Sequence, residues 1–410
     1  HTIKEIKQNY EVENLRKWVN FFIKNHFLVP GGFSERQYIA QKVKEEIEKI
    51  KTGKYLTSLG LIIEENCNFN CSYCLSRKVK KISKRGLTNT SRMTWSTARQ
   101  AIDQFIGLIE KYNHDEIEIY FGGGEALLNW RLIEKVISYC LGNFGHRYKF
   151  TFSTNTNASL ITPQRARFLG RHNVIVTTSL DGPPLVNDRM RCFRSGDGTY
   201  NYILAGWRNL EKFAKKVKRF CLTLTDENIN EINENFFDFL VQQGIASCSF
   251  EPDIISPLKI SPEELVERLL QFRQWGNERG ILIGGMWDKP LKNMFERNIK
   301  KKMFGCSAFT GKGISVLPSG DIVPCSYSAR RMARVEEMEQ VFRSLEFHSL
   351  ISSRAVGQIK SCIGCEIEGQ CIGGCYITTE YGNYIQSDEA FQYRCQVFKI
   401  ITNALLKEAI

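Results

Sequence analysis

The chain has 410 residues and nowhere a run of 18 or more apolar ones, so no segment is long enough to cross a bilayer as a helix. Its opening stretch, HTIKEIKQNYEVENLRKW, is polar with helical spacing, which is not the pattern of a secretory signal. A cytoplasmic location with no membrane partner is therefore expected. No internal repeat and no low-complexity linker is present. The densest basic runs, KVKKISKR (78–85), KKVKR (215–219) and RNIKKK (297–302), lack the aromatics that interleave with cations in a single-strand groove, and no base-reading motif accompanies them. Nucleic acid is not expected as a partner. The net charge of +12 and the pI of about 9.0 belong to a solvated surface that can attract an acidic partner such as a peptide.

Cysteine is what the chain does not lack. Of its 14, Cys140, Cys192, Cys221 and Cys248 stand singly, and the other ten fall at 67–74 or 306–395. That spread suits no disulfide scaffold, and in a reducing compartment clustered thiols read as metal ligands first.

The length allows two or three domains, and 42% hydrophobic with 24% charged residues is ordinary globular composition. Residues 1–55 alternate Lys and Glu with apolar positions at helical spacing, as in RQYIAQKVKEEIEKIK (36–51), and read as helices. From 56 to 253, short apolar β-branched stretches alternate with helical patterns. The strands are expected at 55–63, 116–121, 148–154, 174–180, 219–225 and 246–252. Helices are expected over 130–141, 163–170, 200–214, 229–243 and 262–279, and in a first one Ala98, Ile102, Phe105, Ile106 and Ile109 share a face behind a Thr94 cap. Such an α/β domain is a doubly wound sheet or a complete or partial barrel, and either form carries reactive groups on the loops at the carboxyl ends of its strands. Residues 254–305 carry no motif and read as a bridge to a second domain, 306–410, rich in Gly and Cys and poor in long elements.

Directly after the first strand comes EENCNFNCSYCLSRKV, with Cys67, Cys71 and Cys74 spaced C-x3-C-x2-C. Chance gives that spacing in a chain of this cysteine content only roughly 1–2% of the time. Three thiolates can hold three irons of a four-iron cube and leave the fourth open to a small molecule. A structural zinc completed by a distant residue, or three free thiols, are the blander alternatives. Strand-end stretches come next: FGGGEALL (121–128), whose glycines permit close backbone approach; STNTNASL (153–160), by itself an Asn-rich turn; and SLDGPPLVNDRMR (179–191). In the C-terminal part, Cys306, Gly320 and Cys325 are spaced C-x13-G-x4-C, then Cys362, Cys365, Cys371 and Cys375 give C-x2-C-x5-C-x3-C, and Cys395 closes the set. Zinc is the physical competitor there too, because C-x2-C is its knuckle.

CNFNCSYC, with Tyr73 before the last cysteine, resembles the signature of the radical S-adenosylmethionine (radical SAM) superfamily. The resemblance implies a partial (β/α)6 barrel over 56–253. It also implies that the iron left open by Cys67, Cys71 and Cys74 binds the amino and carboxylate groups of S-adenosylmethionine, which one electron cleaves to a 5′-deoxyadenosyl radical. Gly123, Gly124 and Glu125 resemble the family's Gly-Gly-Glu-Pro motif for the methionine end of the cofactor, with Ala126 in place of Pro. Ser153, Asn155 and Asn157 would meet the ribose or the substrate. Ser179 opens a segment similar to Ser-Leu-Asp-Gly of peptide-modifying members, in which a downstream Arg pairs with the cofactor carboxylate; Arg191 aligns best and Arg189 second. The seven C-terminal cysteines resemble a SPASM domain with two auxiliary clusters. By position, Cys306, Cys325 and Cys375 fall to the first, whose fourth ligand stays open, and Cys362, Cys365, Cys371 and Cys395 to the second. Three [4Fe–4S] clusters in all are implied.

Enzymes of this kind modify ribosomally made peptides. The sulfatase-maturase branch uses an Asp just after the Gly-x4-Cys cysteine as base, where this chain has Ser326, a poor base at neutral pH. The other branch, the peptide-natural-product maturases, forms thioethers or carbon–carbon crosslinks or excises backbone as a splicease. The first 55 residues look short for a leader-binding domain, so a separate leader-recognition protein is expected beside the precursor peptide, with an electron donor such as flavodoxin or ferredoxin. A multi-cluster electron carrier and a zinc-structured scaffold are the non-enzyme alternatives.

Overall fold

The computed structural model describes residues 20, 32–82, 90–214, 218–295, 303–371, 373–381 and 388–409. Residues 1–44 and 45–410 form two compact units. Of the first, the described part is mainly the start of helix α1 (Glu35–Lys51).

The second unit is built on β1 (Ser58–Glu64), β2 (Glu116–Gly123), β3 (Lys149–Thr156), β4 (Ile175–Ser179), β5 (Lys218–Leu224) and β6 (Ser247–Pro252). They pair in that order, all parallel. The helices along the sheet are α2 (Leu75–Ile82), α3 (Trp95–Ile109), α4 (Trp130–Phe144), α5 (Pro163–Arg171), α6 (Pro184–Met190), α7 (Tyr200–Phe213), α8 (Glu234–Gln242) and α9 (Pro262–Glu278). Their starts follow local chemistry. Thr94 and Thr162 cap α3 and α5 by accepting from Thr97 N and Arg165 N, and Ser261 and Glu264 form a reciprocal capping box on α9.

Two departures from the sequence reading concern the sheet. It continues past six strands: β7 (Leu282–Gly284) adds in parallel to β6, and β8 (Gly313–Val316) adds in parallel to β1 from the C-terminal part. Antiparallel β9 (Asp321–Val323) and β10 (Ala333–Arg334) then complete a ten-stranded order with β7 and β10 at its ends. None of the four exceeds four residues, too short for a period to be read.

The strands are also not apolar on both faces. Ile117, Ile119, Phe121, Phe152, Val176, Phe220, Leu222 and Phe250 are buried; Phe220 meets Trp207 of α7 edge to face, and Phe250 stacks on Phe237 of α8 and packs tilted against Phe272 of α9. The alternate positions pair across the ladder as Tyr120, Ser153, Asn155, Thr177, Ser179, Cys221, Thr223, Ser249 and Glu251. Parallel partners point to one face, so the face away from the helices is lined with polar groups and remains partly exposed. A sheet that only needed a core would not be polar there.

The C-terminal part carries α10 (Lys289–Phe295), α11 (Leu345–Arg354), α12 (Tyr376–Glu380) and α13 (Asp388–Ala409). At 22 residues α13 corrects the expectation of short elements there. Val397, Phe398, Ile401 and Leu405 recur on its buried face at helical spacing, and it packs on α9. No helix among the described residues is long and apolar enough to cross a membrane.

The two faces make a direct test. Leu222→Ala removes a fully buried outer side chain and should lower unfolding stability by about 2–5 kcal/mol. Thr177→Ala on the polar face should stay within about 0.5 kcal/mol. Urea unfolding curves compare the two.

Candidate functional site

Cys67, Cys71 and Cys74 lie on the loop between β1 and α2, at the carboxyl edge of the sheet. The loop is fastened along its length. Glu64, at the end of β1, accepts from Asn66 N (3.0 Å) and Asn66 Nδ2 (2.9 Å) and pairs with Arg92 Nε at 2.7 Å. Asn70 N and Ser72 N donate to the carbonyls of Cys192 and Met190 (2.8 and 3.1 Å), and the Phe69 and Phe193 rings meet edge to face. Burial pushes the Cys67 thiol up to about 12, with Glu125 and the thiols of Cys71 and Cys74 adding to it. Burial likewise raises Cys71 to about 11, against the opposing charge of Arg191. Thiols held this high stay protonated at neutral pH until a cation replaces the proton.

Gly123 and Gly124 lie against this loop. Gly123 has φ +134, and a Cβ on it would stand 2.0 Å from the Glu64 carbonyl oxygen; one on Gly124 would stand 2.6 Å from that of Asn66. The close contact is made by Gly124 N donating to Glu64 O (2.8 Å) and Glu125 N to Asn66 O (2.9 Å). The Glu125 side chain is 1% exposed and turned into the protein. Its oxygens accept from Leu127 N (3.1 Å), Thr156 Oγ1 (2.8 Å) and Asn157 N (2.9 Å), tying the end of β2 to that of β3. Asn157 in turn donates from Nδ2 to Asn68 Oδ1 (2.9 Å) and reaches Cys67 Sγ at 3.8 Å, which makes it a brace for the cysteine loop. Ser153 and Asn155 sit on the polar inner face, Asn155 exposed. Ser179 Oγ lies 3.3 Å from Cys221 Sγ on that face.

The two candidate arginines separate. Arg189 pairs with Glu227 at the surface (3.0 Å). Arg191 is 8% exposed, and its Nε donates to Asp181 Oδ2 at 2.6 Å. Burial disfavours the Arg191 charge, and the Asp181 carboxylate together with Tyr73, Cys71 and Cys221 outweighs it. Asp181, fully buried, is a hub that residue patterns did not single out: Tyr73 Oη also donates to it, Thr223 N donates at 2.9 Å, and Asn228 holds its backbone carbonyl. Tyr73 thus contacts this hub through its hydroxyl, with Arg191 5.6 Å from its ring centre. The signal was present in SLDG, but nothing in a sequence says which carboxylate will meet a buried guanidinium.

The C-terminal cysteines fall into two sets. Burial raises Cys325 to about 12, and the thiols of Cys306 and Cys375 add to it. Burial raises Cys395 to about 11, with Cys371, Cys362 and Cys365 adding. Gly320, at φ +82, makes the turn between β8 and β9 that brings Cys325 back beside Cys306. Tyr327, raised by burial, feels Cys325 on one side and Cys74 on the other. With Ser326, Tyr120, Gly123 and Gly124 it lines a small cleft. Tyr120 and Tyr327 were not expected at the site, since a phenol has no spacing signature.

The donor sets decide which metal group fits. Among the described residues no three His, Cys, Asp or Glu side chains converge closely enough for a single ion. Sets made only of thiols are the donors that an iron–sulfide core takes.

Residues 61–239 match the Radical SAM superfamily. Over 408 residues the chain is 26% identical to the radical SAM cyclopropyl synthase TigE of Paramaledivibacter caminithermalis, covering 97% of this chain and 84% of that protein. It is 22% identical to a cysteine-type anaerobic sulfatase-maturating enzyme of Clostridium novyi over 78% of this chain and 88% of the relative. Among solved structures, native anSMEcpe with bound AdoMet has a TM-score of 0.68 at 17% identity, covering 86% and 99% of the two chains. Streptococcus suis SuiB bound to its precursor peptide SuiA has a TM-score of 0.58 at 16% identity, covering 92% and 90%.

The hub should govern stability. Asp181→Asn leaves Arg191 buried without its carboxylate, an expected loss of about 3–5 kcal/mol in urea unfolding. Arg189→Ala, at the exposed pair, should cost under about 1 kcal/mol.

Proposed function

We propose that this chain, residues 61–239 of which match the Radical SAM superfamily, is a peptide-modifying radical enzyme that joins carbon to carbon within a ribosomally made precursor. The observation that carries this reading is the grouping of ten cysteines into one three-thiol loop at the carboxyl edge of the sheet and two further sets in the C-terminal part. We assign the radical chemistry to 56–253 and two auxiliary [4Fe–4S] clusters to 306–410.

Cys67, Cys71 and Cys74 would hold a four-iron cluster that, with S-adenosylmethionine bound, would supply the radical chemistry. The chain's own residues do the rest. Gly123 and Gly124 keep the cysteine loop pressed to the end of β2, and Glu125 with Asn157 fixes the strand edge that would support the cofactor. The Arg191 guanidinium, anchored through Nε to Asp181, keeps its Nη donors for the cofactor carboxylate. Ser153, Asn155 and Ser179 offer hydrogen bonds from the polar face to ribose or substrate. The outer layer of Phe and Leu side chains keeps water and stray hydrogen donors from the other side of the sheet.

Carbon–carbon bond formation is favoured because the relative matched over 97% of this chain is named a cyclopropyl synthase; backbone excision draws no such support. A peptide substrate accords with the precursor-bound state of SuiB. Formylglycine formation stands second, since related sulfatase maturases exist but Ser326 occupies the place of their base.

Anaerobically reconstituted protein with S-adenosylmethionine and a strong reductant should release 5′-deoxyadenosine, and more of it with the precursor peptide encoded beside the gene. Cys71→Ala should abolish that release while keeping about two thirds of the iron. No deoxyadenosine from fully loaded protein would remove the enzyme reading, and loss of all iron in the variant would point to one interdependent metal core.

A further inference from the structure

Two buried arginines near the C-terminal cysteines take no part in the radical chemistry, and a role for them rests on the auxiliary-cluster reading. Arg354 ends α11 and is 7% exposed. Its Nη2 donates to the carbonyls of Gly373 (3.2 Å) and Gly374 (3.0 Å), the two residues before Cys375. Its guanidinium stands 5.8 Å from the ring centre of Phe309, in the turn that follows Cys306. Gly373 also separates it from the other set: a Cβ there would lie 3.7 Å from Arg354 Nη2 and 3.3 Å from Cys362 Sγ. A single cation therefore borders Cys375 of one set and Cys362 of the other.

Arg394 repeats the arrangement from α13. It precedes Cys395 in the chain, and it shares a cavity wall with Gly374 and Cys375. Nη2 donates to Ile254 O (3.2 Å), while Nη1 is buried with no hydrogen-bond partner among the described residues. The ionisable groups around it are the thiols of Cys375, Cys395 and Cys371 and the Asp253 carboxylate; those around Arg354 include the thiols of Cys362, Cys375 and Cys306. Each guanidinium is thus within reach of both thiol sets.

A buried cation is costly unless negative charge balances it. Thiolate-bound iron–sulfur clusters carry that charge, and a nearby cation favours their electron-rich state and so raises the reduction potential. We infer that Arg354 and Arg394 are charge-balancing residues shared by the two auxiliary centres, each raising the reduction potential of both.

The test is EPR-monitored potentiometry, with iron and sulfide counts, on reconstituted wild type, Arg354→Gln, Arg394→Gln and Arg394→Lys. Each Gln variant should weaken the one-electron reduction of both auxiliary clusters by about tenfold, ~59 mV, and leave the cluster at Cys67, Cys71 and Cys74 unmoved. Arg394→Lys, which keeps the charge, should recover most of the shift. Loss of auxiliary iron in Arg394→Gln that Arg394→Lys restores also supports the inference. A shift confined to one auxiliary cluster, an equal shift in all three, no shift at full iron content, or iron loss that Lys does not restore overturns it. Wild-type protein with iron at the first loop alone would instead fail the auxiliary-cluster reading beneath it.

Discussion

Where β1 and β2 end, the backbone of Glu64 and Asn66 meets that of Gly123 and Gly124 with no room for a methyl group between them. Much of the site depends on that contact. It presses the cysteine loop against the sheet edge, and it positions Glu125 to accept from Thr156 and Asn157 across the neighbouring strand. Asn157 then returns to the loop at Asn68 and Cys67. The three thiols are therefore placed by a closed circuit of hydrogen bonds through β1, β2 and β3, although they sit on a loop. Rigid support of this kind is what a reactive centre needs if its geometry is to survive turnover.

The second element of the design is the difference between the faces of the sheet. The helix side is aromatic and aliphatic and supplies the stability; the other carries hydroxyls, amides, a thiol and the Glu251 carboxylate. The C-terminal part is joined to this scaffold through the sheet itself, since β8 pairs with β1. The hairpin after it delivers Cys325 and Tyr327 to the neighbourhood of Cys74. The polar face, the thiol loop and the C-terminal hairpin thus belong to one framework.

Much of this was legible in the residues. The six parallel strands lie within three residues of their expected limits, because strongly β-branched runs flanked by glycine and helix caps leave little ambiguity. The thiol-rich stretches were legible because spacing is a covalent property of the chain. What was not legible came from three-dimensional pairing. Strands of four residues or fewer carry no period, and the long α13 was hidden behind the cysteine and glycine that precede it. The glycines of FGGGEALL make room for the backbone of Glu64 and Asn66, a contact that no residue pattern announces. Asp181 and Tyr327 escaped notice because their importance lies in what they face.

The central claim is an iron–sulfide cube held at three corners, with the fourth open to S-adenosylmethionine. The most direct measurement is the EPR spectrum of the reduced first cluster, in protein whose seven C-terminal cysteines are replaced by alanine, before and after adding S-adenosylmethionine. A four-iron signal whose g-values change when the cofactor is added is the predicted result. A spectrum that S-adenosylmethionine leaves unaltered, or zinc in place of iron at Cys67, Cys71 and Cys74, would contradict it.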